Sequence, residues 1–176
     1  MNSKFYYEAA IAASTRGNLN TAISNFDTAI ELEPENPLYY FERGNVYLGT
    51  RNYRTAIQDY LCAININPNY RDVYFNLGYA YTDLHEHEKS IECFTKALAI
   101  IPDHADTYIS RAINYHVLAN YQAALDDVNM AEKIAIAQGN FSIINNAHDL
   151  KQKIIDAMDR TNRLLTSLKK LADEYK

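Results

Sequence analysis

The amino-acid sequence predicts an all-α fold in which helical hairpins stack into a solenoid, and three observations point to it. Tyrosine recurs at a step of 34 residues, at Tyr6, Tyr40, Tyr74 and Tyr108. Within each step, bulky, small and aromatic residues are spaced by three and four, which is the spacing of one helix face. Proline closes three of the steps, at Pro34, Pro68 and Pro102, where its missing N–H group ends a helix.

Each 34-residue unit is predicted to hold two helices joined by a short turn. The first helix carries a column of small residues, Ala10, Gly44, Gly78 and Ala112. The second carries a column of mostly large residues, Phe26, Tyr60, Phe94 and Val128, with small residues on either side. Small residues let helices approach closely while large ones fill the gaps. One hairpin cannot cover its own apolar face, so the hairpins must stack.

These columns divide the chain into two parts. Residues 1–140 form four repeats, at about 3–36, 37–70, 71–104 and 105–138, and residues 141–176 form a C-terminal helix. Ile136 stands where the other units have proline, and a terminal repeat is expected to be atypical because it faces solvent or a cap.

The same columns resemble the tetratricopeptide repeat (TPR) family over residues 3 to 138. The third unit, with "YFNLGYAY" and "SIECFTKALAIIP", is similar to the family pattern throughout. The resemblance implies a right-handed superhelical solenoid with a concave groove lined by the first helix of each unit. It also implies a non-catalytic protein–protein interaction scaffold that binds a peptide or helix of a partner protein.

Arg43 raises a separate question, because it is a charge within an otherwise apolar helix. Its column reads Ala9, Arg43, Leu77 and Arg111, and sixteen residues later come Asn25, Asp59, Cys93 and Asp127. Arginine and aspartate therefore occur together or not at all. We predict structural ion pairs within one repeat, Arg43 with Asp59 and Arg111 with Asp127.

The groove implied by the resemblance differs from unit to unit, which suits a binding surface. Its predicted residues are Tyr7, Ile11, Phe41, Asn45, Asp72, Phe75, Asn76, Tyr79, Asp106, Ile109 and Ile113. An apolar strip of Tyr7, Phe41, Phe75 and Ile109 runs along it, and exposed apolar strips commonly mark interaction sites. The alternative is that neighbouring helices or the C-terminal segment shield this strip.

One groove type of the family grips the C-terminal carboxylate of heat-shock chaperones through two asparagines and three basic residues. Asn45 and Asn76 match the two amides, but Phe41, Asp72 and Ser110 replace the cations. Without cations that mode of recognition fails. The groove instead carries an acidic edge, Glu42, Asp72, Asp83 and Asp106. We expect an apolar peptide with basic residues, unless the edge is only a solvated rim.

The C-terminal helix has a heptad stripe, with steps of four and three between Ile143, Ala147, Leu150, Ile154, Ala157, Thr161, Leu164, Leu168, Leu171 and Tyr175. Its first portion is expected to cap the fourth hairpin. Its remainder has three roles open to it: forming a homodimer, folding back into the groove, or docking a different protein. Capping alone, with a frayed end, is the simpler alternative.

Other classes of function have little support in the sequence. Seventeen basic and twenty-two acidic residues give a net charge of −5, which argues against nucleic acid as a partner. No apolar run approaches the ~18 residues of a membrane span, and we expect a cytoplasmic protein. No catalytic motif is present, and we expect neither enzyme activity nor a cofactor. "HEHE" at His85 to Glu88 is a weak metal signal that we interpret as a polar turn.

Overall fold

A computed structural model describes residues 2–174, which are helical apart from short connections. In order, the helices are α1 (Ser3–Thr15), α2 (Leu19–Leu32), α3 (Pro37–Gly49), α4 (Tyr53–Ile66), α5 (Arg71–Asp83), α6 (His87–Ile100), α7 (Ala105–Val117), α8 (Tyr121–Gln138) and α9 (Phe141–Glu174). No strand occurs within these residues. The helices fall into two compact units, Met1–Pro102 with α1 to α6 and Asp103–Lys176 with α7 to α9.

In the first unit, each odd-numbered helix packs against the even-numbered helix that follows it, and successive hairpins are in contact through α2 with α3 and α4 with α5. The small-residue column lies against the aromatic column. A Cβ atom added to Gly44 would lie 2.7 Å from Tyr60 Cε1, and one added to Gly78 would lie 2.7 Å from Phe94 Cε1. Tyr60 and Phe94 are fully buried. Glycine is therefore required at both positions, because any side chain would displace a buried ring.

The turns inside the hairpins share one backbone conformation. One residue in each turn is left-handed, at a step of 34: Gly17 (φ 79°), Arg51 (φ 59°), His85 (φ 59°) and Ala119 (φ 56°). Three of these four residues carry a Cβ, for which this conformation is unfavourable. The turn geometry is thus conserved between repeats although only the first turn uses glycine.

Past the second helices, the predicted prolines act as expected in the first unit. Helix α2 ends at Leu32 and α4 ends at Ile66, each two residues before its proline. Where Ile136 replaces proline, α8 continues to Gln138 and is 18 residues long, against 14 for α2. It stops at Gly139, which adopts a left-handed C-cap.

In the second unit, α9 packs along α8 and also touches α7. Ile143, Ala147 and Ile154 on the heptad stripe are buried, together with Val128 and Ala135 of α8. The stripe is no longer buried beyond Thr161: every residue from Asn162 to Glu174 is exposed. Tyr175, the last member of the predicted stripe, lies outside the described residues.

Candidate interaction surface

Arg43 lies between α3 and α4, with most of its side chain covered. Its Nε donates to Asp59 Oδ2 at 2.9 Å and its Nη2 donates to Asp59 Oδ1 at 2.7 Å, so the carboxylate is bound at both oxygens. Nη1 donates to Asp27 of α2. Hydrogen bonds to Asp59 raise the pKa of Arg43 despite its burial. All three guanidinium nitrogens of Arg43 are therefore hydrogen-bonded to carboxylates of the same chain.

The contact with Asp27 differs from the sequence prediction, which placed both partners within one repeat. Asp27 precedes Arg43 by sixteen residues, just as Asp59 follows it by sixteen. The column that contains Asp27 continues with Leu61, Thr95 and Asn129, so it does not follow the arginines from repeat to repeat. Arg43 thus joins the first hairpin to the second through Asp27, and it joins the two helices of its own hairpin through Asp59.

Arg111 repeats the arrangement in the second unit. Its Nε and Nη2 each lie 2.7 Å from an oxygen of Asp127, and Asp127 is buried. Burial opposes the charge, but the hydrogen bonds and the charge of Asp127 raise the pKa of Arg111. The guanidinium also stacks over Tyr108 at 5.6 Å and Tyr115 at 5.9 Å from the ring centroids.

Where the third hairpin replaces this pair by Leu77 and Cys93, a cavity of about 220 Å³ remains, flanked by Tyr74 and Tyr81. Cys93 is a free thiol, and burial raises its pKa to about 12. Leu77 and Cys93 themselves therefore carry no charge at neutral pH, whereas Lys89, Glu92 and Lys96 also line the cavity. The third hairpin lacks both members of the ion pair, so neither position holds a buried charge without its partner.

The predicted apolar strip is packed more tightly than an open surface in the first unit. Tyr7, Phe41 and Phe75 are each half-buried. Each ring faces the aromatic residue of the second helix in its own hairpin, at centroid distances of 6.2 Å for Tyr7 with Phe26, 6.2 Å for Phe41 with Tyr60 and 5.9 Å for Phe75 with Phe94. The strip is therefore a continuation of the core with one edge open to solvent.

Next to the strip, Ile11 is half-buried in the first hairpin, and Tyr79 is more open, at 38 % exposure. The Tyr79 ring stands edge-on to Phe75 at 4.7 Å. Tyr79 therefore presents an open aromatic ring beside the strip.

Asn45 and Asn76 are brought together by α3 and α5. Asn76 Nδ2 donates to Asn45 Oδ1 at 2.7 Å, and the Tyr60 hydroxyl donates to the same oxygen at 2.9 Å. Asn45 Nδ2 donates in turn to Glu42 Oε2 at 3.2 Å. The two asparagines thus form one polar network, in which Asn45 holds the carboxylate of Glu42.

Glu42 belongs to an acidic and aromatic cluster that the sequence prediction described only in part. Tyr70, which precedes α5, packs against Phe41, with the two ring centroids 5.0 Å apart. Burial, together with the nearby carboxylates of Glu42 and Asp72, raises the pKa of Tyr70 to about 12. Asp72 is half-exposed and pairs with Arg71 at 2.9 Å. The cluster is therefore both apolar and negative.

Sequence reasoning missed Tyr70 because its column carries no common signal. The equivalent positions are Asn36 and His104, in the connections between repeats, and they share neither size nor polarity with tyrosine. Comparison of the repeats reveals only positions that recur, so it does not identify a residue that has a role in one repeat alone.

The remaining predicted groove residues lie on α7 in the second unit. Asp106 is exposed, Ile109 is half-buried, and Ile113 is 41 % exposed. Ile109 packs against the alanines and isoleucines that α8 and α9 contribute to the core of this unit. Here too the predicted apolar positions are divided between the core and the surface.

His85 lies in the turn before α6 and His87 is the first residue of α6, and the ring centroids of this weak metal signal are 5.9 Å apart. Across the described part of the chain, no three His, Cys, Asp or Glu side chains are grouped so that they could hold a metal ion. Among the described helices, none combines the length and the apolar character that crossing a bilayer demands.

Comparison with known proteins agrees with this architecture. The family model described as tetratricopeptide repeat matches residues 72–104, and a model described as TPR repeat matches residues 15–50 and 52–84. A search of curated proteins gave no match.

Among solved structures, similarity extends over most of the chain. A crystal structure of MamA is 16 % identical, with a TM-score of 0.72, and the alignment covers 92 % of this chain and 94 % of that one. MamA from Desulfovibrio magneticus RS-1, from residue 41 to its end, is 21 % identical, with a TM-score of 0.73 and coverage of 78 % and 77 %. The first TPR of Spaghetti (RPAP3), bound to the HSP90 peptide SRMEEVD, is 19 % identical, with a TM-score of 0.65 and coverage of 67 % and 94 %. These similarities support an all-α solenoid of this type.

Proposed function

Because the chain belongs to the tetratricopeptide repeat family, we propose that it is a non-catalytic scaffold that binds a peptide or helix of a partner protein. The proposed binding surface is the side of the first unit formed by α1, α3 and α5. The peptide-bound structure of Spaghetti (RPAP3) supports the idea that such a fold can hold a short segment of another protein. The chemistry of the segment must be inferred from the residues of this chain.

The observation that carries the proposal is the cluster of Phe41, Tyr70, Glu42 and Asp72. Aromatic rings with one open edge give a partner side chain something to pack against. Carboxylates beside these rings favour a cation, since both the negative charge and the ring face attract it. A chaperone-type C-terminal carboxylate would instead be repelled here.

We therefore propose a ligand that alternates apolar and basic side chains. Its apolar side chains would pack on Phe41, Phe75 and Tyr79, and a lysine or arginine would approach Glu42. Asn76 and Asn45, already joined by a hydrogen bond, lie between these contacts and could bind the peptide backbone.

A test uses an array of ten-residue peptides in which aliphatic or aromatic residues alternate with lysine, glutamine or glutamate. The lysine series is expected to bind most tightly and the glutamate series least. Glu42→Gln keeps the acceptor for Asn45 but removes the charge, and should weaken the lysine series about fivefold while leaving the glutamine series unchanged.

The matched control is Glu31→Gln on the exposed face of α2, which makes the same change of charge away from the proposed surface. Tyr79→Ser should weaken the lysine and glutamine series alike, because it removes apolar contact area. Tight binding of the glutamate series, or a Glu42→Gln variant that binds as the parent does, would contradict the proposal.

Self-association through the C-terminal helix is a second candidate function, and the exposed end of α9 supports it. It does not compete with peptide binding, since the two use different surfaces.

A further inference from the structure

We propose that the last part of α9, residues 160–174, binds the same segment of a second copy of this chain in antiparallel orientation. The inference goes beyond peptide binding by the first unit and does not depend on it. It follows from which residues of α9 are covered, from their spacing, and from the position of two charges.

Exposure of the leucines is the first step. Leu164 is 66 % exposed, Leu165 51 %, Leu168 63 % and Leu171 56 %. On the earlier part of the same helix, Ile143 and Ile154 are 7 % and 0 % exposed because they pack in the core of the second unit. One continuous stripe therefore packs in the core at its start and is exposed at its end, where none of the residues 2–174 covers it. An apolar stripe on an exposed helix is typical of an interface.

The spacing of this stripe fits another helix. Thr161, Leu164, Leu168 and Leu171 follow steps of three, four and three, which are the a and d positions of a heptad. Leu165, beside the stripe, widens the apolar face. Residues 160–174 span about 20 Å as a helix, so the contact is short and its strength must depend on protein concentration.

The stripe is complementary to itself when a second copy runs in the opposite direction. An antiparallel pair sets each a position opposite a d position. Leu164 then lies opposite Leu168 of the second copy, and Thr161 opposite Leu171. By two-fold symmetry the reciprocal layers form as well, so each leucine at an a or d position gains a partner.

Two charges select this direction over the parallel one. Arg160 and Glu174 both fall at g positions, and both are exposed. In the antiparallel pair, g positions face g positions, so Arg160 of each copy meets Glu174 of the other at the two ends of the contact. A parallel pair would place Arg160 beside Leu165 and would form neither ion pair. Charges at these flanking positions set orientation in helix pairs.

The other charged residues do not oppose the contact. Arg163, Lys169 and Lys170 lie at b and c positions, on the side of the helix that faces away from the stripe. The excess of positive charge in this segment is therefore kept out of the interface, and a second copy can approach without repulsion at its centre.

The test measures the mass of the full chain by sedimentation equilibrium over roughly a hundredfold range of concentration. The monomer mass is 20.2 kDa, and a rise toward twice this mass with concentration is expected. Arg160→Glu sets glutamate against glutamate at both ends and should weaken the dimer about tenfold. Arg160→Glu combined with Glu174→Arg restores opposite charges and should recover the parental dissociation constant.

Leu168→Glu should abolish the dimer. Because Leu168 is exposed, the helical content and melting temperature of that variant should equal those of the parent at concentrations where the parent is monomeric. A parent chain that stays monomeric throughout would overturn the proposal and favour a different occupant for the stripe. Equal weakening by the single and the double charge variant would overturn the antiparallel orientation. Peptide binding to the first unit should be the same for Leu168→Glu and the parent, so failure of either proposal leaves the other testable.

Discussion

Arg43 shows how a charged side chain is accommodated between the helices of a hairpin. Its partner Asp59 is buried, and the two oxygens of that carboxylate bind two different guanidinium nitrogens. A buried ion pair adds little stability of its own, but removal of one partner destabilises the fold strongly, because it leaves a buried charge without a partner. The replacement of both partners at Leu77 and Cys93 is the outcome that this penalty would favour.

Removal of one partner should therefore be worse than removal of both. Asp59→Ala is expected to lower the free energy of unfolding by about 3 kcal/mol, since it leaves the guanidinium partly buried with only Asp27 beside it. The double variant Arg43→Leu/Asp59→Cys copies the third hairpin and should cost about 1 kcal/mol or less. Urea unfolding followed by circular dichroism measures both.

The double variant is expected to cost something because leucine and cysteine fill less volume than arginine and aspartate, and lost volume weakens packing. Equal destabilisation by the single and the double variant would mean that the pair contributes through its packing and not through its charges. Asp27→Ala provides a further comparison. Asp27 is more exposed than Asp59, so its loss should be smaller than that of Asp59.

At the scale of single helices, the sequence predicts the features that recur from one hairpin to the next. The small column at Gly44 and Gly78 and the aromatic column at Tyr60 and Phe94 each recur, and the chain's own repetition reveals them as core. The pairing of Arg43 with Asp59 could be inferred in the same way. Such features are local to a hairpin, so a constant spacing along the chain is enough to expose them.

Features that belong to one place only are not predicted in this way. Tyr70 packs on Phe41 from a connection with no common pattern. The half-burial of Phe41 and Phe75 depends on how a ring tilts over its neighbour, which the order of residues does not specify. The groove list therefore names residues that share a helix face, whereas the structure divides that face between the core and a narrower open edge.

The left-handed turns lead to a prediction about helix connections. Ala119 has a φ of 56° and carries a Cβ that opposes it, so Ala119→Gly should stabilise the chain by about 0.5 to 1 kcal/mol. The reverse change at the equivalent position, Gly17→Ala, should destabilise by about 1 kcal/mol. An added Cβ at Gly17 meets no atom within 4 Å, so this cost would come from the backbone alone.

Thermal unfolding by differential scanning calorimetry compares the two variants with the parent. Opposite shifts in melting temperature are expected. Gly49→Ala is the control, because Gly49 lies at the end of α3 with open space around it and without a positive φ. A fall in stability for Ala119→Gly would show that chain entropy outweighs relief of the turn.

For the molecule as a whole, α9 joins two different roles in one helix. Its first part completes the core of the second unit, where Ile143, Ala147 and Ile154 are buried. Its last described part, residues 162–174, is exposed and carries the proposed contact with a second copy. The division falls near Thr161, whose hydroxyl lies 3.4 Å from that of Tyr121 at the start of α8.

Two truncations should separate these roles. A chain ending at Asp159 keeps the three buried residues of α9 and should melt within about 2 °C of the parent at concentrations where the parent is monomeric, because residues 162–174 are exposed. A chain ending at Asn140 loses all three and exposes Val128 and Ala135 of α8. Burial of two isoleucines and an alanine is worth about 5 kcal/mol, which is a large share of the stability of a small unit. That chain is expected to lose helical signal beyond the 34 residues of α9 itself.

Far-UV circular dichroism with hydrogen exchange measures the loss and locates it, and protection should fall in α7 and α8. If the chain ending at Asn140 kept native protection in α8, the first part of α9 would not be the cap on which this unit depends.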